Sequence, residues 1–519
     1  MKKKLLSTLL TLCLILVMAP VTTLAADAEV TTEAELKAAV ANSGSIVLRS
    51  DIALTSRVEI TSGTVTIDLN GHTISLADSY SSTNNCMIKV SDGAGLTLND
   101  SIGTGRITNT LNENEYGAVA VMGTNNDSSP TTLVVNGGTY EGYYYGVVGN
   151  GTAHYTDITI NGGTINGVNG SGIYHPQDGT LTIAGGTITG ADTGIELRSG
   201  TLTMTGGSVT GNGTPTSYQP NGSGTTTVGA GIAVAQHTTK KNINVTISGG
   251  TISGCTAFSQ IDPQENNLPE RITLSITGGV FNVTNGGKNA VSSVDQTNFI
   301  SGGQFTNEVP ADYITEGVAE VSLTSGDNTT YYIGTSDEVA VKVAEAASGD
   351  TITVHQGEVI LENVAEGVTV DNEGSGAVTV NGVKVEENGS FTVPLHTHEF
   401  STEWSHDETQ HWHACTVEGC DEKLELADHT WNDGVVTTQP TETEKGVKTF
   451  TCTVCDYIKT EEIPATGSSE PIAPSSGPST GSGITVLQPS PAGTTVPSAP
   501  LPPQTGAQGS ICLLYTSDA

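Results

Sequence analysis

The chain has 519 residues, with 55 acidic against 19 basic side chains and a formal net charge of −36. A charge this negative argues against nucleic acid and anionic membranes as partners, because both would repel the chain. Aromatic residues make up only 5% of the sequence, so any large core must be built mainly from aliphatic side chains.

The first 25 residues have the pattern of a secretory signal peptide. Lys2, Lys3 and Lys4 precede an apolar run over residues 5–18, and small residues surround the expected cleavage point near Ala25. The apolar run is short for a membrane span. We therefore expect residues 1–25 to be removed and the rest of the chain to be secreted.

A short amphipathic helix is predicted next. The segment TTEAELKAAVANSG covers residues 31–44, with Thr32 and Glu35 at the spacing of a capping box and Gly44 beyond the helix end. Two strand-like runs follow, SIVLRSDIAL and TVTIDLNGHTIS. We expect the helix to close one end of the strand-rich region, since an open end would expose apolar residues and unpaired strand edges.

One phrase then recurs seven times between residues 133 and 305: a short β-branched run, a pair of glycines and a second short run. The copies read LVVNGGTY, ITINGGTI, LTIAGGTI, LTMTGGSV, VTISGGTI, LSITGGVF and FISGGQF. The first glycines of successive pairs are 21–29 residues apart, except for one step of 43 between Gly206 and Gly249. A period in the twenties built from strands and turns indicates a solenoid with one coil per repeat.

Each coil has room for three strands and three turns. The strand after the second turn begins with glycine and an apolar residue, at Gly146, Gly172, Gly194 and Gly231. The long step is explained by an insertion at residues 214–227, which we expect to bulge from one corner. The pattern closely resembles the right-handed parallel β-helix proteins of the pectate-lyase-like superfamily. This resemblance implies an all-β fold, a right-handed parallel β-helix solenoid over residues 26–330.

Residues 331–394 are predicted to form a second, small β-rich module. The segment at residues 336–385 repeats the order of the N-terminal cap, with a short helix followed by SGDTITV and further strand–turn–strand runs. We expect a small β-solenoid or β-sandwich that packs on the C-terminal end of the β-helix.

Residues 395–466 carry six of the eleven histidines and two close pairs of cysteines. Cys415 and Cys420 form the first pair, and Cys452 and Cys455 form the second. Two such pairs about thirty residues apart predict a structural zinc site with four thiolate ligands. Two disulfides are the alternative in a secreted protein, and neither metal nor disulfide is a third. The histidines either add ligands or pack a small core.

The same segment resembles a Cys/His-rich repeat of secreted surface proteins from gut Firmicutes, and it is similar to a zinc ribbon. It departs from the usual ribbon because four residues, rather than two, separate the first two cysteines. We expect any bound ion to be structural. Four thiolates would leave no open coordination position for catalysis.

The composition changes to Pro, Ser, Gly and Thr over residues 467–519, which predicts a disordered stalk. Near its end lies a stretch that resembles a sortase sorting signal with one residue inserted: Leu501, Pro502, Pro503, Gln504, Thr505 and Gly506. This resemblance implies attachment to the wall of a Gram-positive bacterium by a sortase.

Aligning the coils on their glycine–apolar starts predicts which side chains share the outer face of the solenoid. One outward column contains Val119, Val148, Tyr174, Glu196 and Ala233, and Arg198 lies two positions further along. The residues expected to bind a ligand are Tyr143, Tyr144, Tyr145, Tyr174 and Asp178. Those considered for catalysis are Asp192, Glu196, Arg198 and His175. The alternative is that these residues belong to an ordinary solvated face.

Two functions fit these features. The first is a secreted, wall-displayed adhesin or glycan-binding solenoid without catalytic activity, whose partners are glycans or other cell-surface macromolecules. The second is a secreted polysaccharide lyase or glycoside hydrolase that uses the face from Tyr174 to Arg198. A glycosidase needs two carboxylates held several ångströms apart, and no such pair is evident in the sequence. The first function is therefore favoured, and we expect a monomer.

Overall fold

A computed structural model describes residues 27–467, apart from 81–85, 110–116, 153, 215–228, 266 and 419. The described residues form two compact units, 27–397 and 398–467. The predicted signal peptide, nearly all of the insertion, and the stalk with its sorting motif lie outside the described residues. Within the described part, no helix is long and apolar enough to cross a membrane.

Three stacks of parallel strands form the solenoid, and we name them A, B and C in the order in which the chain visits them. Stack A begins where Ala28–Val30 pairs with Gly44–Leu48. It continues through Thr64–Asp68, Gly95–Asn99, Thr131–Val135, Thr156–Ile160, Gly179–Ile183, Gly200–Met204, Ile243–Ile247 and the first part of Ile272–Val283.

Stacks B and C complete each coil. Stack B contains Ile52–Leu54, Thr73–Leu76, Arg106–Thr108, Thr139–Gly142, Thr164–Gly167, Thr187–Gly190, Ser208–Gly211, Thr251–Gly254 and the end of Ile272–Val283. Stack C contains Val58–Ile60, Cys86–Val90, Gly117–Val121, Tyr145–Val148, Ile173–His175, Ile195–Leu197, Ala230–Val234, Thr256–Gln260 and Asn289–Ser293. Every strand pair within stack C is parallel. The expected parallel β-helix is confirmed.

The glycine pairs make the turn between stacks A and B. Gly186 has a φ of +80°, a backbone conformation that costs glycine little. A Cβ atom there would lie 2.9 Å from the carbonyl oxygen of Gly163, the equivalent residue one coil earlier. A larger residue would therefore strain the turn and push successive coils apart, which explains why the pair recurs.

Aliphatic columns fill the interior of the solenoid. In stack A, Leu181 lies between Ile158 and Leu202 in register, and all three side chains are buried. Cys86 and Cys255 are also buried.

One position of the predicted outer column is wrong. Val119 aligns with Val147 and is fully buried, whereas Ala120 aligns with Val148. The predicted alignment is shifted by one residue in this coil, and a shift of one in a strand exchanges the inner and outer faces.

The N-terminal helix is present at Glu33–Ala41 and has the predicted capping box. The Thr32 side chain accepts a hydrogen bond from the backbone N–H of Glu35, and the Glu35 carboxylate accepts one from the backbone of Thr32. Its buried residues, Leu36 and Val40, belong to the same core as the first coils. The helix therefore covers the N-terminal end of the aliphatic column.

The second module joins the last coil by antiparallel pairing, because Ile300–Phe305 pairs with Asn328–Gly334. That strand forms a hairpin with Ala319–Ser325, and a capped helix follows at Ser336–Val343. The remaining strands are Thr351–Gln356, Val359–Leu361, Thr369–Asn372, Val378–Val380, Val383–Val385 and Gly389–Thr392. Short 3₁₀ helices at Pro269–Arg271 and Ala311–Tyr313 precede this module. Residues 319–393 have a hydrophobic core of their own.

The carboxylate of Glu320 is buried on the strand Ala319–Ser325. We predict that it makes the stability of the chain depend on pH. Burial raises the pKa of Glu320 to about 7, against an ordinary value of 4.5. The folded chain thus binds this proton more tightly than the unfolded chain. We expect the free energy of unfolding to fall by up to about 3 kcal/mol as the pH rises from about 4.5 to 7.

Urea unfolding at several pH values would measure this effect. Glu320→Gln should abolish the part of the pH dependence that this carboxylate contributes, whereas Glu316→Gln, which alters an exposed carboxylate nearby, should leave it unchanged. Equal pH profiles for wild type and Glu320→Gln would contradict the expectation.

The second unit consists of two three-stranded antiparallel sheets. The first contains Phe400–His406, Gln410–Cys415 and Lys423–Asp428, and the second contains Val435–Thr438, Gly446–Thr451 and Ile458–Ile463.

Candidate functional site

The second unit has almost no hydrophobic core. Among the described residues from 398 to 467, only His411, His429, Gly446 and Cys452 are buried. Three of these four are histidine or cysteine, the residue types that most often bind transition metals. A unit of this size needs some replacement for the missing apolar contacts.

Those three side chains and Cys455 form one group, which we call the inner group. Their ligand atoms all lie within 4.8 Å of one another. The Sγ atom of Cys455 is 3.4 Å from Nδ1 of His429, and the Sγ atom of Cys452 is 4.0 Å from Nδ1 of His411. At His429, Nε2 donates a hydrogen bond to the carbonyl oxygen of Asp407 at 2.9 Å. This bond leaves the lone pair on Nδ1, which faces the sulfur.

The charges of the inner group also fit a cation. Burial opposes ionisation of Cys452, but backbone N–H groups of Cys455 and Val454 outweigh it and lower the pKa of this thiol to about 6. Burial and the neighbouring Cys452 sulfur raise the pKa of Cys455. Two adjacent thiolates repel each other, so a positive ion between them is what allows both to be deprotonated.

A second group lies beside the first sheet and contains His398, Cys415 and Cys420, which we call the outer group. Their ligand atoms are also within 4.8 Å of one another. The Sγ atom of Cys420 is 3.4 Å from Nδ1 of His398. Both cysteines are half-buried and His398 is exposed. Earlier in the chain, His396 hydrogen-bonds to Glu366 in the first unit.

The prediction that all four cysteines share one shell is wrong. Cys415 ends a strand of the first sheet, whereas Cys452 follows a strand of the second, and each pair meets histidines instead of the other pair. The six described cysteines are all unbridged. The sequence left the role of the histidines open, because four thiolates would already complete a tetrahedral site.

On the solenoid, the structure brings the predicted tyrosines together into what we call the tyrosine patch: Tyr143, Tyr144, Tyr145 and Tyr174. The rings of Tyr145 and Tyr174 stack across two coils, with centroids 5.4 Å apart and an interplanar angle of 27°. Tyr143 and Tyr144 meet edge to face at 4.8 Å. All four side chains are partly exposed.

Two of the residues considered for catalysis form a buried ion pair instead of an open groove. Glu196 is 2% exposed and Arg198 is 1% exposed, and Nη1 of Arg198 lies 3.2 Å from Oε1 of Glu196. The guanidinium also donates to the carbonyl oxygens of Ala235 and Gln236, at 2.7 and 3.2 Å. Burial raises the pKa of Glu196, against the opposing effect of Arg198. The expectation that these side chains lie on an open face is wrong, because the corner at Ala235 and Gln236 covers them.

His175 is fully buried as well. Its Nδ1 donates to the carbonyl oxygen of Ser199 at 3.2 Å, and burial lowers the pKa of the imidazole to about 4. Asp192 is half-buried, and burial raises its pKa. The charge of Asp192 adds to the raised pKa of Glu196, but the Glu196 carboxylate is buried, so the two do not form an open pair of acids.

Asp178 gains partners that the sequence did not suggest. Its carboxylate lies 3.3 Å from Nζ of Lys241 and 3.5 Å from Nδ1 of His154, and it accepts a hydrogen bond from the Ser199 hydroxyl at 3.1 Å. Lys241 and His154 come from corner loops of other coils. Such loops vary in length, so strand periodicity gives no register for them.

Comparison of the chain with models of known protein families, with curated proteins and with solved structures gives no match.

Proposed function

We propose that this chain is a secreted surface protein whose β-helix binds glycans through the tyrosine patch without chemical catalysis. The observation that carries the proposal is the stacking of Tyr145 and Tyr174 at partly exposed positions on neighbouring coils. Tyrosine offers sugars an apolar ring face and a hydroxyl for hydrogen bonding, at a small cost in side-chain entropy.

The buried ion pair supports binding rather than hydrolysis. A glycosidase acid must reach the glycosidic oxygen, and its partner carboxylate must reach the anomeric carbon or a water molecule. Glu196 is held by Arg198 beneath the surface. The net charge of −36 further favours neutral over acidic glycans as ligands.

A glycan array probed with residues 27–397 would test the proposal, read for both binding and chain cleavage. Tyr174→Ala should weaken binding of a neutral oligosaccharide by about tenfold, or about 1.4 kcal/mol, because it removes one ring of the stacked pair. Tyr174→Phe keeps the ring and should retain most of the affinity. Cleavage of any glycan by the wild type, abolished by Glu196→Gln, would replace this proposal with the enzyme alternative.

We also propose that the inner group holds a structural zinc ion. Two thiolates and two imidazoles are a common ligand set for tetrahedral zinc, and a softer, sulfur-containing shell disfavours Ca²⁺ and Mg²⁺. The zinc would supply folding energy rather than chemistry, since four protein ligands leave no position for a substrate. His429 and His411 would orient on it through their Nδ1 atoms.

Display at the cell wall is the last part of the proposal and depends on sequence features outside the described residues. The Pro/Ser/Gly-rich stalk would hold the binding face away from the wall. We expect a sortase to cleave after Thr505, so that the protein is found covalently in the wall fraction. Thr505→Ala should release it into the medium, whereas Thr495→Ala in the same stalk should not. Equal wall retention of the Thr505→Ala variant would contradict sorting at this motif.

A further inference from the structure

Cys415 and Cys420 are not part of the inner group, although they also lie beside a histidine, His398. Cys415 is the last residue of its strand, and it pairs in register with Phe400. His398 is two residues before Phe400, and its ring stacks on that of Phe400 at 5.7 Å. The antiparallel pairing thus places the imidazole beside the end of the cysteine strand.

A tight turn brings the second sulfur back to the same point. The backbone N–H of Cys420 donates to the carbonyl oxygen of Val417 at 3.1 Å. Thr416 anchors the start of the turn, because its backbone N–H and its hydroxyl both donate to the carbonyl oxygen of Glu399, at 2.7 and 2.8 Å. The strand pair and the turn together hold Cys415, Cys420 and His398 in place without help from the inner group.

From this arrangement we infer that the outer group is a second zinc site, separate from the inner one and more accessible to solvent. The inference rests on the proposal that zinc binds this unit. The two groups share no residue, so one ion cannot satisfy both. Two sulfurs and an imidazole select zinc over hard cations such as Ca²⁺.

The two sites should differ in how fast they lose their ion. In the inner group three of the four ligand residues are buried, whereas no ligand residue of the outer group is. A chelator reaches an exposed ion directly, but a buried ion leaves only when the unit opens. Zinc release from the full chain should therefore occur in two phases of about equal size.

The test uses the full chain, loaded with zinc and freed of excess metal by gel filtration. Elemental analysis should give two zinc ions per chain, and 4-(2-pyridylazo)resorcinol should remove one quickly and one slowly. Cys420→Ser should reduce the content to one ion and eliminate the fast phase. His398→Ala, which alters a different ligand, should do the same. Cys255→Ser, at a buried cysteine of the solenoid, should keep both ions.

The two ways in which the second site could fail are distinguishable. The wild type could contain one ion per chain, retained in Cys420→Ser and lost in Cys455→Ser. That result would overturn the second site and support the inner one. Absence of zinc from the wild type would overturn both. Hydrogen exchange of residues 398–467 distinguishes loss of one ligand from unfolding of the unit. If Cys420→Ser makes exchange fast throughout these residues, the two sites are not independent and the inference of a separate second site fails.

Discussion

Removing zinc should unfold residues 398–467 and leave the β-helix intact. Among the described residues of this unit the buried side chains are His411, His429 and Cys452, so the ion would take the place that an apolar core has elsewhere. Without it, the two cysteines and the two imidazole rings would remain together with no ion to hold them in place. Ion binding to such units contributes about 10 kcal/mol or more to folding at neutral pH.

Hydrogen exchange measured on peptides of the full chain, with and without a strong chelator, would show this directly. Exchange should become fast throughout residues 398–467, while peptides from the solenoid keep their protection. His429→Ala should have the effect of the chelator. His406→Ala removes an exposed imidazole of the same unit and should not. Unchanged protection in metal-free protein would show that the two sheets fold without an ion.

A single charge inside the solenoid should destabilise several coils at once. Ile183 is fully buried in stack A, where it pairs with Ile160 on one side and Met204 on the other. Ile183→Asp would place a carboxylate among aliphatic side chains with no partner. We expect a loss of about 4 kcal/mol or more in the free energy of unfolding. Because each coil is supported by its neighbours, the effect should spread along the stack.

Thr182→Asp is the matched control. Thr182 is the preceding residue of the same strand, but its side chain points outward and is partly exposed. The same carboxylate there remains hydrated and should change stability by less than about 1 kcal/mol. Denaturant unfolding of both variants, with exchange rates for the neighbouring coils, would compare them. Similar losses for the two positions would mean that this face is not the interior.

The solenoid could be predicted from the sequence because its rules are local and repeated. A glycine pair marks each turn, and the β-branched residues beside it alternate between the two faces of a strand. Ile158, Leu181 and Leu202 occupy the same place in successive copies of the phrase, and they lie in one buried column. Val119 was assigned to the wrong face because the alignment matched Gly117 with Gly146, whereas Gly117 lies in register with Tyr145, one residue earlier.

The sites were harder to predict because they depend on contacts between distant segments. Arg198 looks exposed by strand alternation, yet its guanidinium is enclosed by the carbonyl oxygens of Ala235 and Gln236, 37 and 38 residues later. The cysteine spacing correctly indicated residues that could hold a metal ion in the last unit. It could not show that Cys452 and Cys455 would meet His411 and His429 instead of the other two cysteines, because that contact depends on how the two sheets fold.

Both ends of the β-helix are closed, and this limits how copies of the molecule can associate. A column of parallel strands with free ends can accept another copy of itself and grow into a fibre. Here the helix at Glu33–Ala41 blocks growth at one end, and the reversal of strand direction at Asn328–Gly334 blocks it at the other. The number of coils between these two closing elements can therefore change without creating a surface that polymerises. Each coil adds about 4.8 Å to the length of the β-helix.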